Sequence, residues 1–189
     1  MKQMQLQSYG ATEQVTGSCH MVTVDDRRVL LDCGMIQGSR KDEAKNRDRF
    51  PFDPASIDAV ILSHAHIDHS GRLPLLVKAG FRGPIYTHPA SRDLCRILLK
   101  DSAFIIEREV QWENRRRERK GLELIEPLYT QDDADKAMRQ FKPLNYETWR
   151  KILPGISVRL SDAGHIIGSA VVELQLSASG VVFRWVVTL

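Results

Sequence analysis

The chain has 189 residues, 42% of them hydrophobic, enough for one globular domain with its own core or a large piece of one. Its 27 Lys and Arg against 24 Asp and Glu give a formal charge of +3, which suits a nucleic-acid or phosphate partner without requiring one. No stretch is apolar enough to span a bilayer, and the polar start Met1-Lys2-Gln3-Met4-Gln5-Leu6-Gln7 lacks the apolar run of a signal peptide, so a membrane span and secretion are both disfavoured.

There is no internal repeat and no low-complexity tract. Val22 to Val24 and Val29 to Leu31 flank the polar turn Asp25-Asp26-Arg27-Arg28 and predict a hairpin ending at Asp32-Cys33-Gly34. The polar stretch from Gln37 to Arg49 reads as a surface loop. Ile57 to Ser63 is a β-rich apolar run suited to burial on both faces. His64 to His69 follows directly. Ser70 to Ala79 then predicts a short helix, with Pro74 in its first turn and a stop at Gly80. Gly83-Pro84 introduces a strand over Ile85 to Thr87. From Ser91 the apolar residues Leu94, Ile97, Leu98, Ile105 and Ile106 recur at helical spacing until Gly121. Thr130 caps a further helix, predicted to end near Phe141, before Pro143. After Gly155 come strands at Ile156 to Leu160, Ala170 to Leu176 and Val181 to the end. This mixture indicates an α/β layered fold.

Cys19, Cys33 and Cys95 form no CxxC pair, and an odd count argues against a disulfide framework. They read as reduced thiols of a cytoplasmic protein.

The chemistry concentrates in His64-Ala65-His66-Ile67-Asp68-His69. Three of the chain's six histidines and a carboxylate stand here, immediately after a buried strand. Imidazole nitrogen and carboxylate oxygen are zinc ligands. Residues two apart in extended chain point the same way, so His64 and His66 can grip one ion. A turn into helix at Asp68 aims Asp68 and His69 at a second. The competing reading is a polar loop that is His-rich by chance. Arg115-Arg116-Arg117-Glu118-Arg119-Lys120, near Trp112, could touch an RNA backbone, but the solvated last turn of a helix explains it better. His20 and His88 read as structural. Ser18 has no independent base and is rejected as a nucleophile.

The motif His-x-His-x-Asp-His resembles the signature of the metallo-β-lactamase superfamily. Asp32 resembles that family's strand-end aspartate, and His165, in Asp162-Ala163-Gly164-His165-Ile166-Ile167-Gly168-Ser169-Ala170, its third metal-binding motif. Gly10-Ala11-Thr12-Glu13-Gln14-Val15-Thr16-Gly17-Ser18-Cys19-His20, Asp32-Cys33-Gly34-Met35-Ile36-Gln37-Gly38 and the stretch from Ala65 to Pro74 are similar to the β-CASP branch of RNA-processing nucleases, which includes ribonuclease J and the cleavage-and-polyadenylation endonuclease. The resemblance reaches to about Phe183. It implies an αββα sandwich, here its N-terminal portion over 1–189, with a helical insert at about 91–150. It also implies zinc-dependent hydrolysis of RNA phosphodiester bonds in the exonuclease or endonuclease manner. By the same resemblance, His64, His66 and His165 would hold one zinc and Asp68 and His69 the other. Asp68 would orient the attacking hydroxide, and Asp32 would fix a ligand loop from behind.

The chain departs from the branch after Phe183. Family members continue with a Ser-Gly-Asp-Leu-Gly type segment whose aspartate bridges the metals; here Arg184-Trp185-Val186-Val187-Thr188-Leu189 follows. Codons GTG-ACC-TTG for Val-Thr-Leu, read one base earlier behind a G, give Gly-Asp-Leu. The expectation is a frameshift that truncates the chain before the β-CASP domain. It leaves one well-held zinc, an impaired nuclease and an apolar tail prone to aggregation. Two other functions compete: a thioesterase or lactonase of the same fold, and a non-catalytic RNA-binding or partner-binding fragment.

Overall fold

The structure, a computed structural model, describes residues 4–12, 15–178 and 181–187. Met1 to Gln3, Glu13 and Gln14 of the first motif, and Thr188 and Leu189 of the tail lie outside the described residues.

A six-stranded sheet runs in chain order: β1 (Met4–Gly10), β2 (Cys19–Val24), β3 (Arg27–Leu31), β4 (Ala59–Ile61), β5 (Ile85–Thr87) and β6 (Phe141–Pro143). The first three strands are antiparallel, and β3 to β6 are parallel. The expected hairpin is present, but Arg27 and Arg28 join the strand, so the turn shrinks to Asp25-Asp26 with Asp25 at φ 52. A second, antiparallel sheet has the order β10 (Val181–Val187), β9 (Ala170–Ala178), β8 (Ile156–Asp162), β7 (Arg150–Leu153).

Period-two alternation in the central strands builds two cores at once. Val29, Leu31, Ala59 and Ile61 face the second sheet and pack with Val158, Leu160, Val172 and Leu174. Leu30, Val60 and Leu62 point the other way, into a helical layer. That layer contains α3 (Leu73–Lys78), α4 (Pro89–Arg119) and α5 (Gln131–Met138), contributing Leu73, Leu76, Cys95, Leu99, Ala103, Ala134 and Ala137. The run from Ile57 to Ser63 is therefore buried on both faces, as its composition predicts.

Several elements differ from the expectation. Met4–Gly10 forms a strand that its largely polar residues do not announce. The stretch 37–49 contains α1 (Arg40–Ala44), capped by Ser39, and a 3₁₀ turn at Lys45–Arg47. Buried Asn46 ties it down by bonding both backbone groups of Ile36. Helix α4 starts at Pro89 rather than Ser91, because proline suits a first turn and the His88 ring caps the Ala90 N–H. Helix α5, with the Thr130–Asp133 capping box, ends at Met138 because Phe141–Pro143 pairs with β5 as a sheet edge. Strand β10 stands at one side of the second sheet, with Val182 57%, Phe183 55% and Val186 48% exposed.

Candidate metal centre

Parallel strands β3 and β4 deliver Asp32 and Ser63-His64 side by side at their C-terminal ends. Backbone hydrogen bonds stitch the segments after them: Ser18 N–H to Asp68 O, Cys33 N–H to His69 O and Met35 N–H to Ile67 O, each 2.9 Å. His66 stands at the start of the single-turn helix α2 (Ile67–Ser70), which carries Asp68 and His69. Gly34 lies flat against that turn. A Cβ there would sit 1.6 Å from the Asp68 carbonyl oxygen, so only glycine fits without moving α2.

Asp32 is buried at φ 60, a left-handed conformation that aspartate tolerates when its side chain bonds locally. Its Oδ1 accepts the Ser63 N–H at 2.8 Å. Its Oδ2 accepts Ser18 Oγ at 3.0 Å, Ser63 Oγ at 3.0 Å and His69 Nδ1 at 2.7 Å. These contacts fix tautomers. With Nδ1–H of His69 donated to Asp32, its Nε2 is left for the open side, 3.7 Å from Asp68 Oδ2. With the Ser63 hydroxyl proton given to Asp32, Ser63 Oγ accepts from His64 Nδ1 at 3.1 Å. His64 Nε2 then carries a free lone pair.

That lone pair faces His66 Nδ1 at 3.0 Å, and His66 Nδ1 faces His165 Nε2 at 3.3 Å. One ring nitrogen from each of the three histidines lies within 4.8 Å of the others. Two nitrogens on a tetrahedral zinc stand about 3.3 Å apart, from a Zn–N length of about 2.0–2.1 Å. Imidazole nitrogens brought this close suit a shared cation, and the donor set fits a divalent metal with an open fourth position. Burial, reinforced by the neighbouring His69, pulls His64 down to about 4, so it is neutral and able to ligate at neutral pH. Burial opposes charge on His69 too, but the hydrogen bond and charge of Asp32, with Asp68, outweigh it and raise its pKa.

His165 arrives differently, on the loop between β8 and β9. Its N–H is bonded to Ser169 Oγ at 3.1 Å, and the Ser169 carbonyl accepts Tyr146 Oη at 2.7 Å. Ser91, at the start of α4, donates to Gly168 O at 2.7 Å. Tyr146 stacks on His88, ring centroids 3.9 Å apart. Sequence reading missed Ser63, Ser91, Tyr146 and Ser169 as supports. Ser63, adjacent to His64, and Ser169, four residues after His165, stood close in sequence to the residues they support; Ser91 and Tyr146 did not.

The structure thus brings His64, His66 and His165 together and places Asp68 and His69 beside them, with Asp32 behind His69. A cavity of about 340 Å³ opens there, lined by Ser18, His20, Asp32, Ser63, Asp68 and His69 among others. His20 bonds Ser8 Oγ at 2.9 Å, as a structural residue would. The basic run 115–120 lies at the C-terminal end of α4.

Residues 12–155 match the family profile described as the metallo-beta-lactamase superfamily. Over 172 residues the chain is 40% identical to "Ribonuclease TTHA0252" of Thermus thermophilus, covering 91% of this chain and 35% of that protein. Over 175 residues it is 37% identical to "Transcription termination factor FttA" of Thermococcus kodakarensis, covering 88% of this chain and 25% of that protein. The chain therefore spans about a third or a quarter of the length of these relatives. Among solved structures, the metallo-beta-lactamase fold protein YhfI of Bacillus subtilis superposes with a TM-score of 0.54 at 16% identity, covering 92% of this chain and 58% of that one. At that identity the likeness shows the fold.

Proposed function

The chain belongs to the metallo-beta-lactamase superfamily, and from that premise we propose that it is the metal-binding portion of a β-CASP type, zinc-dependent ribonuclease. The observation that carries the reading is the convergence of three imidazoles on one point beside a carboxylate. Its ribonuclease and termination-factor relatives support RNA as the substrate class. The helical segment at about 91–150 is read as an insert of that branch. The buried, unpaired cysteines support a reducing, cytoplasmic setting. Among the described residues no helix is long and apolar enough to cross a membrane.

His64, His66 and His165 would hold one zinc; Asp68 and His69 are the residues available to a second. A zinc ion held there supplies Lewis acidity and positive charge beside a phosphodiester. Asp68 orients the attacking water, and Asp32 keeps the His69 ring in the tautomer that presents Nε2. Within residues 1–189 two protein ligands are too few for a tight second site, so a polypeptide of these residues alone is expected to bind about one zinc firmly and to cleave RNA weakly.

Metal analysis after dialysis tests this, together with a labelled-RNA assay with added zinc. One zinc per chain, and slow cleavage lost in His66→Ala, are expected. Two tightly held zincs would contradict the reading that Asp68 and His69 alone make a weak second site. RNA binding without any cleavage would favour the non-catalytic fragment, and hydrolysis of thioesters or lactones but not RNA would favour the other hydrolases.

A further inference from the structure

The edge of the molecule where β6 and β7 end their sheets carries a groove of about 680 Å³, within the usual range of ligand sites. It is lined by Arg82, Arg139, Lys142, Arg150 and Lys151, and by no carboxylate. In a chain with 27 basic and 24 acidic residues this is a segregation of charge. The five cations arrive from separate segments: the entry to β5, the turn before β6, and strands β6 and β7. All five are exposed, and among the described residues none is in an ion pair. Arg82 is anchored by donating Nη1 to the carbonyls of Val77 and Phe81, both 2.9 Å away. Tyr86, opposite Lys142 across the β5–β6 pair, adds an aromatic wall.

Lysine and proline on an edge strand also block unwanted pairing. That accounts for Lys142 and Pro143, and for the cations of β7. It does not account for Arg82 or Arg139, which lie outside any strand. Convergent cations around an aromatic face are the chemistry that holds a nucleic-acid backbone. The metal centre lies at the C-terminal ends of β3 and β4, whereas Arg82 and Arg139 precede the parallel strands β5 and β6. The groove therefore opens at the opposite end of the sheet and runs along its β6 edge, two strands away from β4.

We propose that this groove is a second RNA-binding surface, gripping the phosphodiester backbone away from the metal centre. It needs neither metal nor cleavage, and so goes beyond the hydrolase reading. Binding of a labelled single-stranded RNA to the full chain in EDTA, followed by fluorescence anisotropy over a salt series, tests it. The variant Arg139→Gln/Lys142→Gln/Arg150→Gln/Lys151→Gln should bind at least tenfold more weakly. Its plot of log affinity against log salt should be shallower by about 3, from about 0.7 per phosphate contact on single strands. The control Arg115→Gln/Arg116→Gln/Arg119→Gln/Lys120→Gln, at the end of α4, should bind like the parent. Should the fourfold variant fold poorly, Lys142→Gln/Lys151→Gln should give about half the change in slope. Unchanged affinity and slope in the groove variants would overturn the proposal, as would an equal loss in the α4 control. His66→Ala in the cleavage assay reports on the metal reading separately.

Discussion

The two halves of the candidate centre are built to different standards. His64, His66, Asp68 and His69 sit on segments hydrogen-bonded backbone to backbone across the ends of β3 and β4, with buried Asp32 taking four donors behind them. His165 comes from an exposed loop of the second sheet, beside Ile167 at 73% exposure, held by Ser169, Tyr146 and Ser91. One half is a rigid socket and the other a latched flap. The lesson is that one cluster of imidazoles can rest on two kinds of support, backbone bonds across strand ends for His64 and His66 and side-chain bonds for His165.

That contrast can be broken experimentally. The largest expected effect is from His66→Ala, whose Nδ1 faces both other imidazoles. Zinc affinity by calorimetry should fall more than about 100-fold, the upper end for losses one shell further out. An affinity within a few-fold of the parent would show that the three histidines do not act together. Next comes Asp32→Ala, which strands four donors in the interior. Urea denaturation should show a loss of about 3 kcal/mol or more, with zinc affinity down about 10–100-fold. A variant as stable as the parent would mean that the socket is not held by Asp32. Tyr146→Phe removes one hydrogen bond on the flap and should cost about 1 kcal/mol. Zinc binding should weaken by about tenfold at most; a loss matching that of Asp32→Ala would erase the distinction between the halves. Smallest for metal and stability is Phe183→Lys, on the exposed strand β10. Stability should change by about 0.5 kcal/mol or less. Self-association in sedimentation should decline, because a charge interrupts an open apolar edge.

Much of this was legible in the residues. The run from Ile57 to Ser63 announces a doubly buried strand because both its faces are apolar, and the His64–His69 motif follows it by adjacency alone. Thr130 and Asp133 announce a cap by chemistry local to four residues. What stayed hidden depends on distant partners. Polar Met4–Gly10 becomes a strand only because β2 offers it an edge. Phe141–Pro143 is too short to show a period and is defined by pairing with β5. The supports of His165 were invisible for the same reason, since Ser91 lies 77 residues from Gly168, and Tyr146 lies 23 from Ser169. Asp32 showed its position but not its four donors, which come from three segments.

Gly34 carries a consequence for anyone diversifying this sequence. Because the Asp68 carbonyl occupies the space a methyl group would need, saturation mutagenesis there should return glycine almost alone under any selection for zinc. The same intolerance makes position 34 a silent off-switch: Gly34→Ala displaces the ligand turn while leaving every donor atom chemically untouched. A null protein made this way keeps its full complement of histidines and carboxylates, which separates geometry from composition in a way that replacing a ligand does not.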